Sequence, residues 1–163
     1  MLLRPIRPGA AQELSDGFAK LSAHSRRMRF FTTRQVYRPQ ELRHLVECDG
    51  VRVLTLVGVF LNVDGSEREA VAAAHFFRED PASDSADVAI AVLDDYSRLG
   101  IGSALMHALA ECALAVGIVR LTGLCHPENL AVQRLLQGMG RYRVIGVKDA
   151  TLEFSVQLEN VAY

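Results

Sequence analysis

One turn, with glycines at alternate positions, constrains this chain more than any other segment: Asp94-Asp95-Tyr96-Ser97-Arg98-Leu99-Gly100-Ile101-Gly102-Ser103-Ala104-Leu105. The residues before it, Ala86 to Leu93, read ADVAIAVL and predict a β-strand. Those after it, Ile101 to Val116, carry apolar residues at helical spacing. Gly100 and Gly102 therefore fall where a helix begins. There the first amides have no intrahelical partner and point outward with the positive end of the macrodipole, so the turn can cradle an anion such as a phosphate.

Spacing separates this turn from two well-known phosphate loops. A P-loop ends in Gly-Lys-Ser/Thr, whereas Gly102 is followed by Ser103-Ala104 with no lysine. A dinucleotide fingerprint needs a third glycine at the position held here by Leu105, and it normally opens a chain.

The rest of the chain reads as alternating strands and helices. Leu2 to Arg7 is a predicted strand, Pro8 to Ser22 a helix, and Pro39 to Glu47 a second helix with proline at its first turn. Val51 to Leu61 and Ala70 to Phe77 predict a hairpin closed near Asp64-Gly65. Glu79 to Ser85 is a polar loop. Beyond the glycine turn and its helix come a strand Ile118 to Cys125, a helix Glu128 to Gln137, and strands Arg143 to Val147 and Thr151 to Gln157. No repeat, linker or low-complexity tract interrupts this order, so residues 1–163 are expected to form a single domain. At 163 residues, half of them hydrophobic, the chain can bury one substantial core.

A formal net charge of -1 gives no field that would gather nucleic acid or an anionic membrane. The cluster Arg26, Arg27 and Arg29 is a local exception that would suit an acidic partner or simply a solvated helix end. No apolar run approaches the roughly 20 residues of a membrane helix, and the first residues lack a signal-peptide core; a cytoplasmic protein is expected. Cys48, Cys112 and Cys125 are scattered without metal-ligand spacing, so inert thiols and no metal site are expected. His75, in an apolar strand pattern, and His126 are the histidines nearest the predicted chemistry.

A second element strengthens the anion-cradle reading. His126-Pro127-Glu128-Asn129, then Val132, Leu135 and Gly140, follows the apolar run ending at Cys125. Together with the glycine turn it resembles the GNAT acetyltransferase superfamily, whose two coenzyme elements are Gln/Arg-x-x-Gly-x-Gly/Ala after a strand, then a strand followed by an asparagine-led helix. The opening LRPIRP, Leu21-Ser22-x-x-Ser25, Arg29-Phe30-Phe31 and Glu41-Leu42 further resemble bacterial protein-lysine acetyltransferases of the Pat type.

The resemblance implies an α/β (α+β) GNAT fold: a mixed sheet of about seven strands with a splayed central parallel pair, flanked by about four helices. It implies acetyl-coenzyme A as cosubstrate, acting as a monomer or homodimer on a primary amine, with a protein lysine leading and a small amine or amino-sugar next. Backbone groups of Ile90, Ala91 and Val92 would pair with the pantetheine arm. Ser97, Arg98, Leu99, Gly100, Ile101, Gly102 and Ser103 would hold the pyrophosphate, and Asn129 the second element. Asp87 stands where similar enzymes often carry a glutamate base, on one face with the small Ala89 and Ala91. Two positions depart from the family pattern: Leu136 stands where an acidic tyrosine is usual, and Ser97 opens the turn motif. These departures leave a catalytically silent acyl-coenzyme A sensor or partner-binding module as the alternative.

Overall fold

The computed structural model describes residues 1–30 and 36–159. In chain order the elements are β1 (Leu2–Pro5), α1 (Ala11–Lys20), α2 (Ala23–Phe30), α3 (Pro39–Val46), β2 (Val53–Leu61), β3 (Glu67–Phe77) and β4 (Ser85–Val92). A single 3-10 turn, Asp94–Tyr96, leads into α4 (Ile101–Ala115), followed by β5 (Arg120–Cys125), α5 (Leu130–Gln137), β6 (Gly140–Lys148) and β7 (Thr151–Leu158). The seven strands make one sheet in the order β1-β2-β3-β4-β5-β7-β6. β4 and β5 are its parallel pair, and every other neighbouring pair is antiparallel.

Local chemistry accounts for the element boundaries. Proline opens α3 and the Glu41 carboxylate accepts the Arg38 backbone N–H at 2.8 Å, satisfying one of the orphan donors at that end. In the β2–β3 hairpin, Asp64 accepts from the Ser66 N–H at 2.9 Å and from its hydroxyl at 2.6 Å, fixing the turn.

The pleat sends alternate residues of β4 to opposite faces. Val88, Ile90 and Val92 share a face with Ala72, Ala74 and Phe76 of β3, where Leu105, Met106, Leu109 and Ala113 of α4 complete a water-excluding core. Asp87, Ala89 and Ala91 share the other face with Ala73, His75 and Phe77. On that side Leu14 of α1 and Leu45 of α3 cover Val57 and Val59 in a smaller cluster.

Arg78, at the end of β3, is only 3 % exposed and donates to four acceptor contacts, all on backbone carbonyls. Nε and Nη2 reach the Val51 oxygen at 3.1 and 2.8 Å, while Nη1 reaches Ser83 at 3.2 Å and Val116 at 3.1 Å. Val116 is the C-terminal cap of α4, the negative end of that helix, which offsets part of the cost of burying the guanidinium.

Among the described residues there are five α-helices, against the expected count of about four. The extra one is α2: its sequence AHSRRMRF has one buried residue, Met28, and therefore shows no apolar stripe. The first helix correspondingly ends at Lys20, short of the expected Ser22, while β6 runs longer than Arg143 to Val147.

Candidate active site

The parallel ladder between β4 and β5 has three rungs: Ser85↔Arg120, Ala86↔Leu121 and Asp87↔Thr122. Beyond them β4 continues to Val92 paired only with β3, and β5 continues to Cys125 paired only with β7. The strands have parted. Ile90, Ala91 and Val92 thus lie on the stretch of β4 whose β5-facing edge has no strand partner, leaving polar backbone groups that need one. Gly123 lies beside the parting, where a Cβ would stand 3.0 Å from the Val88 carbonyl oxygen and 2.8 Å from the Phe154 ring.

A cleft of about 440 Å³ opens from this gap, with Ile90 to Val92, Ser97, Arg98, Gly100, Gly102 and Ser103 along one wall and Asn129 with Val132 along another. Gly100 is the N-terminal cap of α4 and takes the left-handed conformation, φ +78°. Arg98 is left-handed too, φ +61°. Left-handed residues alternating along a turn at a helix N-terminus are the pattern of backbone in which successive N–H groups can converge on an anion. Gly102 lies within the first turn of α4, and a Cβ there would meet Leu135 Cδ1 at 3.3 Å, closing α4 onto α5. Exposed Leu99 and buried Ile101 complete the loop. Asn129 caps α5, its Oδ1 accepting from the Val132 N–H at 3.2 Å, so much of its role is structural.

Asp87 occupies the last rung before the strands part. Its Oδ1 accepts from the Thr122 hydroxyl at 2.6 Å, and the carboxylate is exposed. Phe77 lies directly across on β3. Phe77 also lines a second pocket of about 250 Å³ on the same sheet face, with His75, His44, Tyr37, Glu41 and Arg29 among its walls. The His44 and Phe77 rings stack at 6.4 Å. His75, half-buried, lines this pocket; burial, and secondarily the charge of Arg29, push its pKa down to about 3. It stays neutral at ordinary pH.

Leu136, at the position of the usual tyrosine, is 1 % exposed and lines a 40 Å³ void in the gap with Cys125, Val88 and Ile90. Burial pushes the Cys125 and Cys112 thiols up, consistent with unreactive side chains. His126 Nδ1 accepts from the Glu128 N–H at 3.2 Å, a local turn contact.

Sequence reading placed the glycine turn and β4 together but missed α2, which forms the cleft's remaining wall through His24, Ser25, Met28 and Arg29. The signal was Ser22, whose hydroxyl accepts the Ser25 N–H at 3.1 Å as a helix cap does. The three arginines have separate environments. Arg26 donates to the Leu21 carbonyl at 2.7 Å, exposed Arg27 stands 3.9 Å from Glu128 across the cleft mouth, and Arg29 lies over the Phe30 ring at 4.5 Å. Phe31 lies outside the described residues. Among the described residues no three or more His, Cys, Asp or Glu side chains group as metal ligands, and no helix is long and apolar enough to cross a membrane.

A seven-stranded mixed sheet split at its parallel pair, with a glycine-built helix N-terminus at the split, is the architecture that the resemblance to GNAT acetyltransferases implied. The model of the GNAT acetyltransferase domain family matches residues 1–141, and the chain belongs to that family. It is 32% identical over 138 residues to Acetyltransferase Pat of Mycolicibacterium smegmatis, an alignment covering 85% of this chain and 40% of the relative. Among solved structures it is similar to the GNAT domain of S. lividans PAT, with TM-score 0.82 and 22% identity over 96% of this chain and 89% of that one. It is also similar in fold to yncA of Salmonella typhimurium, solved with its cofactor acetyl-CoA: TM-score 0.69, 16% identity, 100% and 96% coverage.

Proposed function

We propose that this chain is an acetyl-CoA-dependent N-acetyltransferase acting on a primary amine by direct transfer. The observation that carries the reading is the unpaired edge of β4 beyond the Asp87–Thr122 rung, which opens onto a cleft lined by the glycine turn of α4. The residues present fit acetyl-CoA: a left-handed Gly100 cap and Gly102 leave room at a helix N-terminus for a pyrophosphate, and β4 offers an unpaired edge for an amide-bearing arm. Acetyl-CoA supplies the activated acetyl thioester. Amides of Leu99 to Ser103 bind the pyrophosphate, with Arg98 as a charge-assisted contact. Backbone groups of Ile90 to Val92 hold the arm and offer donors to the acyl oxygen.

Asp87 draws the proton from the incoming ammonium through a water, aided by Thr122, which keeps Oδ1 occupied and aims the carboxylate. The amine nitrogen then bonds to the acetyl carbon as the carbon–sulfur bond breaks, and the excess proton left on that nitrogen passes to water. Solvent protonates the departing thiolate, since Leu136 offers no acid; a thiol pKa near 8.5 makes that tolerable.

The acceptor we favour is a protein lysine, on the resemblance of the N-terminal words to Pat-type enzymes. A small amine is the second reading, favoured by the aromatic-walled second pocket lined by Phe77, the cross-strand neighbour of Asp87. Incubation with isotope-labelled acetyl-CoA, a cell lysate and an amine panel, followed by mass spectrometry, tests both. Labelled lysines support the first, a labelled small amine the second, and no transfer to either would leave the silent-sensor alternative standing.

A further inference from the structure

Helix α2 walls two cavities at once. Its Ser25, Met28 and Arg29 line the cleft, while Arg29 and Phe30 line the second pocket. Its apolar hold is confined to Met28, its one buried residue, and to half-buried Phe30, which meets Phe18 and Tyr37 near its end. At its start a carboxylate on the turn holds it. Asp94 Oδ1 accepts from the Ser25 hydroxyl at 2.7 Å and the Ser22 hydroxyl at 2.9 Å, and Oδ2 accepts from the Ser22 backbone N–H at 3.0 Å. Three donors thus converge on one anion three residues before Ser97, where the cleft-lining turn begins. Partial burial alone would push the Asp94 carboxyl up, but these donors outweigh it and hold it below its ordinary range.

We propose that Asp94 is a positioning residue that fixes α2 to the anion-binding turn, so that filling the cleft also sets the wall of the second pocket. The inference rests on the coenzyme reading of the cleft. An asparagine would serve this junction poorly, since its amide nitrogen would face a donor instead of accepting from it. The geometry makes the turn and α2 one unit: a coenzyme that orders Leu93 to Ser103 orders residues 22–30 through Asp94, and Arg29 and Phe30 move with them.

Hydrogen-exchange mass spectrometry on the whole chain, with and without acetyl-CoA, tests this. In the unmodified protein acetyl-CoA should slow exchange both at 97–103 and at 23–30. In Ser22→Ala/Ser25→Ala, residues 23–30 should exchange roughly three- to tenfold faster on losing two hydrogen bonds to Asp94 together with the Ser22 cap, and in Ser25→Ala, which keeps that cap, still about threefold faster. Protection at 97–103 by acetyl-CoA should persist there, and α4 should exchange as before, which controls for folding. Ser25→Thr, which keeps the hydroxyl, should behave as the unmodified protein. Unchanged exchange at 23–30 in the alanine pair, with 97–103 still protected, overturns the coupling alone. Absence of protection at 97–103 in the unmodified protein overturns the coenzyme reading and the coupling together.

Discussion

Asp87 and His75 lie on one face of neighbouring strands, two rungs apart, and their environments assign them different work. Asp87 is exposed at the mouth of the strand parting, where water can carry a proton to it. Asp87→Asn keeps the size and the Thr122 contact but cannot take up the proton. It should lower turnover about 10²-fold at neutral pH and flatten the acid limb of the pH-rate profile, while acetyl-CoA affinity stays within a few-fold. An unaltered profile would make the carboxylate structural. His75 is held neutral, its pKa pushed from 6.5 down to about 3, first by burial and then by Arg29. The unfolded chain takes up that proton below about pH 6.5 while the folded chain does not, so the contribution is intact above that value. It is lost as pH falls toward 3, by at most about 1.4 kcal/mol per pH unit. Denaturant melts at pH 7 and pH 5 should record the loss, and His75→Gln should shrink it; equal losses in both proteins would assign it to other groups.

At the scale of elements, what was readable in the chain depended on how much each segment carries its own signal. β4, the glycine turn and α4 declare themselves, because an apolar strand, two glycines and a long helical stripe are local properties. α2 does not. Three arginines in eight residues leave no apolar face, and much of what anchors the helix's start comes from Asp94, remote in sequence. Arg78 shows the same limit. Nothing in its sequence context distinguishes it from a surface arginine, yet it joins the end of β3, the loop before β4 and the C-terminus of α4. Arg78→Met should cost about 3 kcal/mol in urea unfolding, because the Val51, Ser83 and Val116 carbonyls lose their donor in a buried place. A loss under about 1 kcal/mol would mean that water replaces the guanidinium there.

Across the whole molecule, strand order and the point where pairing stops were the facts the chain concealed. Register is settled by tertiary packing: nothing in ADVAIAVL says that its pairing with β5 ends at Asp87, although that ending makes the cleft. The resemblance to acetyltransferases supplied the expectation of a splay, and the residues around the glycine turn supplied its place. The account stands or falls on whether this cleft holds acetyl-CoA at the N-terminus of α4. Two substitutions separate binding from folding. Aspartate tolerates the left-handed conformation of Gly100 for about 1 kcal/mol with open space around its Cβ; at Gly102 its charge favours a helix N-terminus but its Cβ must displace the Leu135 Cδ1 methyl at 3.3 Å, so a thermal melt of that variant accompanies the titration. Facing a pyrophosphate, the same charge is repelled by about 4 kcal/mol at close range. Calorimetric titration of acetyl-CoA into the unmodified protein, Gly100→Asp and Gly102→Asp is therefore the most direct measurement. The account predicts binding to the first and at least a 10²-fold weaker affinity in both variants, with folding retained; unchanged affinity in the two variants would contradict it.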